Sequence, residues 1–275
     1  MDALPEDCVS AILSHTSPAE ASRCSVVSST FRSASDSDML WQSFLPSDYH
    51  DIVSRALVPL HFSSNKDLFF AVSHPILIDG GNKSFKLEKS SGKKSYILSA
   101  RELSISWSDS PLLWSWMPVP ESRFPVVAVL RTVSWLEIEG KIRTGSLSPS
   151  TWYGVYMIMK VSVRAYGLES AVSRVSVGVG EQVKNGRAYL WHEPEKTQKM
   201  KKLFYRDERE SEEEEDDEER VAIPCKREDG WMEIRVGEFF SGKSDEEVRI
   251  RVTELGYQLK GGLILEGIEV RPKQN

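Results

Sequence analysis

The sequence predicts an α+β protein in which a small helical region at the N-terminus precedes an all-β antiparallel sandwich of a jelly-roll-like kind. Two patterns carry this prediction. Apolar residues recur at helical spacing up to about residue 75, whereas short segments rich in Val, Ile, Trp and Tyr alternate with polar turns from Phe85 onward. The chain has 275 residues, 40% of them hydrophobic, which is enough for a sizeable core.

The first predicted helix follows Pro5, because a proline and two acids in the first turn suit a helix N-terminus. Its apolar face is expected to carry Val9, Ile12 and Leu13, which recur at i, i+3 and i+4. A helical unit of this size cannot bury all its apolar side chains, so the exposed ones predict a surface for a partner. The alternative is that they pack against the downstream domain.

The second helix is predicted to begin at Pro18, with Ser17 as the N-cap and Glu20 completing a capping box. A later helix carries Trp41 and is expected to stop at Pro46, since proline cannot continue a helix. The remaining helical segments are predicted at 24–34, 48–58 and 65–72.

The ordered string of apolar residues in this region resembles the F-box family. The matching residues are Leu4, Pro5, Ile12, Leu13, Pro18, Val27, Phe31, Leu40 and Trp41. The resemblance implies that these positions pack against the Skp-type adaptor, and through it reach the cullin, of an SCF-type ubiquitin ligase. It also implies a substrate-receptor subunit with no catalytic chemistry of its own.

Strands dominate the rest of the chain. Clean alternation at 232–236 and 248–252 is typical of half-buried antiparallel strands, and two sheets packed face to face are the expected architecture. Domains are predicted at 1–46, 47–75 as a helical linker, and 76–273. The nine predicted strands are 95–98, 103–107, 135–142, 153–165, 172–179, 187–192, 231–239, 248–255 and 263–270.

An acidic run interrupts this domain. Residues 207–220 contain eleven acids and two arginines, a net charge of −9, so the formal charge of −6 leaves −6 − (−9) = +3 for the rest of the chain. Such a run is expected to be a disordered surface loop, and a nearly balanced remainder gives no reason to expect nucleic acid as a partner. The basic segment at 199–202 leaves a nuclear-localisation signal open, and the acidic run could instead be a decoy for a basic partner.

Three tryptophans, Trp107, Trp114 and Trp116, lie within one proline-rich stretch that is similar to the phloem protein 2 lectins. The similarity spans roughly residues 76–273 and includes the segments 135–142, 229–240 and 260–272. Because a tobacco member of that family binds N-acetylglucosamine-containing glycans, the resemblance implies a carbohydrate partner. The expected carbohydrate-binding residues are Trp107, Trp114 and Trp116 as the stacking platform and Glu121, Arg123 and Glu266 as its polar edge, with Ser122 beside them.

Three further tryptophans, Trp135, Trp152 and Trp231, are expected in the core, as tryptophans of small sandwiches usually are. Core packing is also the alternative for the platform itself.

Other classes of function find little support. The three cysteines, Cys8, Cys24 and Cys225, show no metal-binding or disulfide spacing, and no nucleophile elbow, phosphate loop or zinc-protease motif occurs. Glu137 and Glu139 share a strand face as a glycosidase pair would, but alternating surface carboxylates explain them better. We therefore expect no enzyme, cofactor, metal or membrane association, and a cytoplasmic and nuclear location.

Three hypotheses about function remain at this point. The first is a substrate receptor whose sandwich selects a glycoprotein or protein for ubiquitination. The second is a stand-alone nucleocytoplasmic lectin in which the helices only pack. The third is a receptor that recognises protein degrons and has lost affinity for sugars.

Overall fold

The computed structural model describes residues 4–169, 172–192 and 221–273. The predicted acidic loop at 207–220 and the basic segment at 199–202 lie outside these residues. The helices are α1 (Glu6–Leu13), α2 (Pro18–Cys24), α3 (Ser29–Asp36), α4 (Asp38–Phe44), α5 (Tyr49–Ser54) and α6 (Asn65–Val72). The strands are β1 (Ile76–Ile78), β2 (Lys83–Leu87), β3 (Lys94–Ser99), β4 (Ser104–Ile105), β5 (Trp114–Met117), β6 (Val127–Leu130), β7 (Leu136–Arg143), β8 (Thr151–Tyr166), β9 (Val172–Val179), β10 (Gln182–Tyr189), β11 (Cys225–Lys226), β12 (Met232–Ser241), β13 (Glu247–Glu254) and β14 (Gly261–Pro272). The predicted α+β class is confirmed.

Local capping sets the helix starts. The capping box of α2 is confirmed, because Ser17 Oγ accepts from the Glu20 amide at 3.2 Å and a Glu20 carboxylate oxygen accepts from the Ser17 amide at 3.2 Å. The helix predicted at 24–34 is wrong in its bounds. A turn follows α2, and α3 starts only after Ser28, whose hydroxyl accepts from the Phe31 amide at 3.3 Å.

Two antiparallel sheets form the second part of the molecule. The large sheet has the strand order β1-β2-β3-β14-β8-β12-β11, with β6 also paired to β14 and β5 paired to β6. The small sheet has the order β10-β9-β13-β7-β4. The nine predicted strands are all present, β9 with the predicted ends and the others with shifted ends, whereas β1, β2, β5, β6 and β11 were not predicted.

A single buried apolar cluster runs through both the helices and the sandwich, and contains Leu68 and Phe69 of α6 as well as Phe85 and Leu87 of β2. A smaller buried cluster lies on the other face of the large sheet and includes Phe124, Val127, Ile158 and Trp231. The sandwich therefore has a main core between its sheets and a second one beneath the segment that precedes β6.

The helical module, residues 4–72, is bound to the sandwich by specific contacts. Lys94 Nζ of β3 lies 2.7 Å from Asp48 Oδ2, and an Arg55 guanidinium nitrogen lies 3.2 Å from Asp79 Oδ1. The turn between β2 and β3 also reaches the helices, because Gly92 lies against Phe44. These contacts fix the two parts at one orientation. In the part of the chain described, no helix is long and apolar enough to cross a membrane.

Candidate functional site

The helical module exposes several apolar side chains. Leu4 is 56% exposed, Ile12 55% and Val27 66%, and Pro5 is exposed as well. Sequence reasoning missed two more, Val26 and Met39, which are also exposed. We call Leu4, Pro5, Ile12, Val26, Val27 and Met39 the helical apolar set. Exposed apolar side chains in such number on a short helical unit are typical of a protein-binding surface.

Four of the residues predicted to contact the adaptor are buried instead: Leu13, Pro18, Leu40 and Trp41. Trp41 donates its indole N–H to the Ser35 carbonyl at 2.7 Å and packs against Phe69 with ring centroids 5.2 Å apart. Leu13 and Leu40 support the surface and do not form it, which corrects the prediction for them. Pro18 and Trp41 line an open pocket at the surface. Phe31 lies between the two groups, partly buried against the core.

The predicted apolar stripe of α1 is also corrected. Val9 and Leu13, one turn apart, are buried, whereas Ile12 points to solvent. A residue one position before Leu13 is rotated about 100° around the helix axis, so it leaves the inward face. Ile12 is therefore a candidate contact for a protein partner, because it lies outside the buried apolar face of α1.

The three clustered tryptophans have different environments. Trp114 is buried and donates its indole N–H to the Ser106 carbonyl at 3.1 Å, while Trp116 donates to the Ser108 carbonyl at 3.2 Å. Trp107 lies between Ser106 and Ser108, whose carbonyls accept these two bonds. It adopts φ 59° and is 51% exposed. A left-handed conformation costs a non-glycine residue about 1–2 kcal/mol, so two structural indoles hold the third in an exposed, strained position.

Trp116 offers little free ring surface. The Arg101 guanidinium lies 3.7 Å from its ring centroid and covers one face. Trp114 is therefore a buried support of the loop, which corrects its predicted part in the platform, whereas Trp116 is partly buried. Trp107 is the most exposed of the three.

Trp135 is the exposed aromatic partner of Trp107, a role that the sequence prediction gave to Trp114 and Trp116. It is 48% exposed, and its ring meets that of Trp107 edge to face with centroids 6.2 Å apart. The prediction that Trp135 and Trp152 are core residues is wrong, since Trp152 is 47% exposed beside Phe240. The prediction for Trp231, which is fully buried, is confirmed.

The predicted polar edge forms a structural network. Glu266 is buried and accepts hydrogen bonds from Ser122 Oγ, the Arg123 amide and the Arg123 guanidinium, each at 3.0 Å. Burial raises the pKa of Glu266, because it outweighs the stabilising charge of Arg123. Glu121 is exposed and its carboxylate lies 3.6 Å from Lys160. These groups fasten the segment before β6 onto the sheet.

The structure separates the predicted platform from its predicted edge. Trp114 belongs to the main core, as does Leu265 of β14. Glu266, the next residue, lies at an irregularity in the pairing of β14 with β8, and it bonds Ser122 and Arg123, next to Phe124 of the second cluster on the opposite face. Because Trp107 emerges beside Trp114 and Arg123 binds Glu266, the two groups lie on different faces and do not make one site.

A second ionic network, not predicted, continues along the face of Glu266. Arg271 bonds Glu233 at 2.7 Å and Glu269 at 2.8 Å, and Arg227 bonds Glu269 at 2.7 Å. Glu269 and Arg271 are two residues apart on β14, so their side chains share one face of the sheet. This spacing is the signal in the sequence from which the ion pair could have been predicted. The described residues contain no group of three or more His, Cys, Asp or Glu placed to hold a metal ion.

The chain matches two family models. The phloem protein 2 model matches residues 93–272, and the F-box domain model matches residues 1–43. Similar relatives from Arabidopsis thaliana include F-box protein PP2-B15, at 50% identity over 98% of this chain and 96% of the relative, and F-box protein VBF, at 46% over 98% and 99%. F-box protein PP2-B13 is 47% identical over 98% of each chain. The chain therefore belongs to the phloem protein 2 family, as an F-box protein with the F-box ahead of the family domain.

Proposed function

We propose that this F-box protein is a substrate receptor of an SCF-type cullin ubiquitin ligase. The helical apolar set binds a Skp-type adaptor, and the sandwich presents a recognition surface to a glycoprotein or protein target. The single observation that carries the proposal is the exposure of Leu4, Ile12 and Val27 within the segment that matches the F-box model. The part played by this chain is binding, without catalysis of its own.

The recognition surface that we propose is the exposed pair Trp107 and Trp135. An indole offers a flat apolar face to the C–H face of a sugar ring or to an apolar side chain. The strained backbone of Trp107 supports this, since strain of that kind concentrates at functional sites. The proposal includes a cytoplasmic and nuclear location, where the free thiols of Cys8, Cys24 and Cys225 stay reduced.

Adaptor binding is tested by titrating the purified full-length protein with a Skp-type adaptor. We expect the double substitution Leu4→Ala/Ile12→Ala to weaken binding more than a hundredfold, because each anchor contributes about 2 kcal/mol. The matched control is Leu112→Ala/Leu259→Ala, which removes two leucines of the sandwich that are more exposed than Leu4 and Ile12. Unchanged binding by the first variant would reject the receptor proposal.

A glycan array on the same full-length protein tests the recognition surface. We expect signal from N-acetylglucosamine oligomers or N-glycans that Trp107→Ala abolishes and Trp152→Ala leaves intact, since Trp152 is equally exposed but contacts a different aromatic residue. A blank array with normal adaptor binding would favour recognition of protein degrons. Glycan binding without adaptor binding would favour the stand-alone lectin.

A further inference from the structure

A cavity of about 200 Å³ lies where the helical module meets the two sheets. Four cationic side chains line it, Arg55, Lys83, Lys141 and Arg143, together with one carboxylate, Glu247. The cations come from three elements, because Arg55 follows α5, Lys83 begins β2, and the other two lie on β7. A concave site lined mainly by one sign of charge concentrates ligands of the opposite sign.

Ion pairs hold three of the cations in place. Arg55 and Lys83 share Asp79, at 3.2 Å and 3.0 Å, and Arg143 bonds Asp245 at 2.7 Å. Asp79 and Asp245 are not among the lining residues. Arg55 also pairs with Asp51 at 3.2 Å and Lys83 with Glu102 at 3.5 Å. Carboxylates outside the cavity therefore position the charges of Arg55, Lys83 and Arg143 at it.

The ammonium of Lys141 makes no hydrogen bond to any described residue. Its nearest carboxylates, Glu139 and Glu247, are 3.5 Å and 3.8 Å away, beyond normal hydrogen-bond length. Both carboxylates accept shorter bonds of 2.6 Å from Arg251 and Arg249. Lys141 is therefore held only by two long ion pairs, and its half-exposed ammonium is able to donate to a ligand.

Tyr96 supplies a second, independent observation. It lines the same cavity and is 3% exposed, and its buried hydroxyl lies next to Arg55 but makes no hydrogen bond of normal geometry. Leaving a buried hydroxyl unpaired costs about 1–3 kcal/mol, so such groups are rare unless a ligand or water completes them. The buried hydroxyl of Tyr96 and the ammonium of Lys141, which makes only long ion pairs, thus belong to one cationic cavity.

We propose that this cavity binds a small phosphate-bearing anion at the junction of the helical module and the sandwich. A tetrahedral dianion suits the site because it accepts hydrogen bonds in several directions, and the donors come from several elements. The volume limits the ligand to inorganic phosphate or a phosphate monoester with a small organic group. Since Arg55 belongs to the helical module and Lys141 to the sandwich, the bound anion bridges the two.

Calorimetric titration of the full-length protein at constant ionic strength tests this. We expect saturable binding of inorganic phosphate or of glucose 6-phosphate, with acetate at least tenfold weaker. Tighter binding of the ester identifies an organic ligand, whereas tighter binding of inorganic phosphate identifies the free ion. The same anion should raise the melting temperature as its concentration rises.

The decisive comparison is between Lys141→Gln and Arg235→Gln. Lys141→Gln should raise the Kd about tenfold, as loss of a charge-assisted hydrogen bond does, with little change in the melting temperature of the free protein. Arg235→Gln removes one positive charge from the exposed surface outside the cavity and should leave the Kd unchanged. Absence of saturable binding at millimolar concentrations, equal binding of acetate, or equal loss in both variants would overturn the proposal.

Discussion

Gly92 shows how one residue joins the two parts of the molecule. It has φ +67°, and a Cβ atom there would lie 3.2 Å from the Phe44 carbonyl oxygen and 3.5 Å from Pro18. Gly80 has the same φ, but a Cβ atom there would meet nothing within 4 Å. Comparing substitutions at Gly80 and Gly92 therefore separates two losses of stability. One comes from the left-handed backbone and the other from a side chain that crowds the helical module.

We predict that Gly80→Ala costs about 1 kcal/mol of stability, for the left-handed conformation alone. Gly92→Ala should cost about 1 kcal/mol more, because the turn must also move away from Phe44. Urea unfolding of both variants measures the difference. Equal losses would mean that the turn does not dock tightly on the helices.

The ionic network around Glu233 makes stability depend on pH. Burial alone would raise the pKa of this carboxyl, but the hydrogen bonds and charges of Arg271 and Arg227 outweigh it and lower the pKa below 4.5. The unfolded chain then binds the proton more readily than the folded protein. The contribution of Glu233 is therefore complete above pH 4.5 and is lost as pH falls through the lowered, folded-state pKa.

We predict that Glu233→Gln destabilises the protein at pH 7 and that this loss shrinks as pH falls below 4.5. Urea unfolding between pH 3 and pH 7 measures it as the difference from the unaltered protein. Glu228→Gln, which removes an exposed carboxyl without an ion pair in the described structure, should cost much less throughout. A loss that stays constant across this range would contradict the linkage.

At the scale of the element, the sequence predicts a helix or strand correctly where local interactions determine its start. The start of α2 followed from Ser17, Pro18 and Glu20, because each satisfies or spares an amide of the first turn. The start of α3 was missed because several serines precede it, and the sequence does not show that Ser28 is the one that caps the helix. β5 and β6 were missed because each has only four residues and lies in a stretch whose prolines indicate a loop.

The candidate site was harder to predict than the fold, because exposure depends on strand parity and on tertiary packing. Trp152 could have been placed outward, since it alternates with the buried Thr151 and Tyr153 on β8. Trp107 and Trp135 meet because β4, which ends shortly before Trp107, pairs with β7, which begins just after Trp135, and no local pattern predicts that pairing. The opposite faces of Trp114 and Glu266 likewise depend on tertiary pairing, including the irregularity of β14 between Leu265 and Gly267, which no local pattern shows.

A buried lysine joins two loops near the exposed tryptophan pair. Lys260 donates to the carbonyls of Ser134, Gly256 and Gln258 at 2.7, 3.0 and 2.8 Å, and it pairs with the buried Glu254. Ser134 directly precedes Trp135. This lysine therefore holds the loop of Trp135 against the loop between β13 and β14.

We predict that Lys260→Met costs about 3–5 kcal/mol, because it leaves Glu254 buried without its charge partner. Hydrogen exchange should quicken at residues 132–135 and 255–259, and urea unfolding gives the loss. Lys260→Met/Glu254→Leu should regain part of it, since the unpaired charge is gone. Lys243→Met, at an exposed position, is the control; a similar cost there would refute the role of the pair.

At the scale of the whole molecule, the shared core makes the helical module and the sandwich one body. Phe69 of α6 is 1% exposed, packs against Trp41, and belongs to the same buried cluster as Phe85 of β2. The ion pair between Lys94 and Asp48 crosses the same junction. The proposed adaptor-binding surface on the helices is thus set at a fixed orientation to the proposed recognition surface at Trp107.

This coupling predicts a single unfolding transition, although a chain of 275 residues with two folded parts would more often show two. Circular dichroism and tryptophan fluorescence should give the same midpoint in urea. Phe69→Ala should lower that midpoint for both signals together, because it opens a cavity in the common core. The expected loss in the free energy of unfolding is about 3–5 kcal/mol. Phe70→Ala, one residue along α6 and 40% exposed, should cost far less. If Phe69→Ala instead released an early transition of the helices while the sandwich kept its midpoint, the two parts would be independent, and the fixed orientation between adaptor and target would be lost with them.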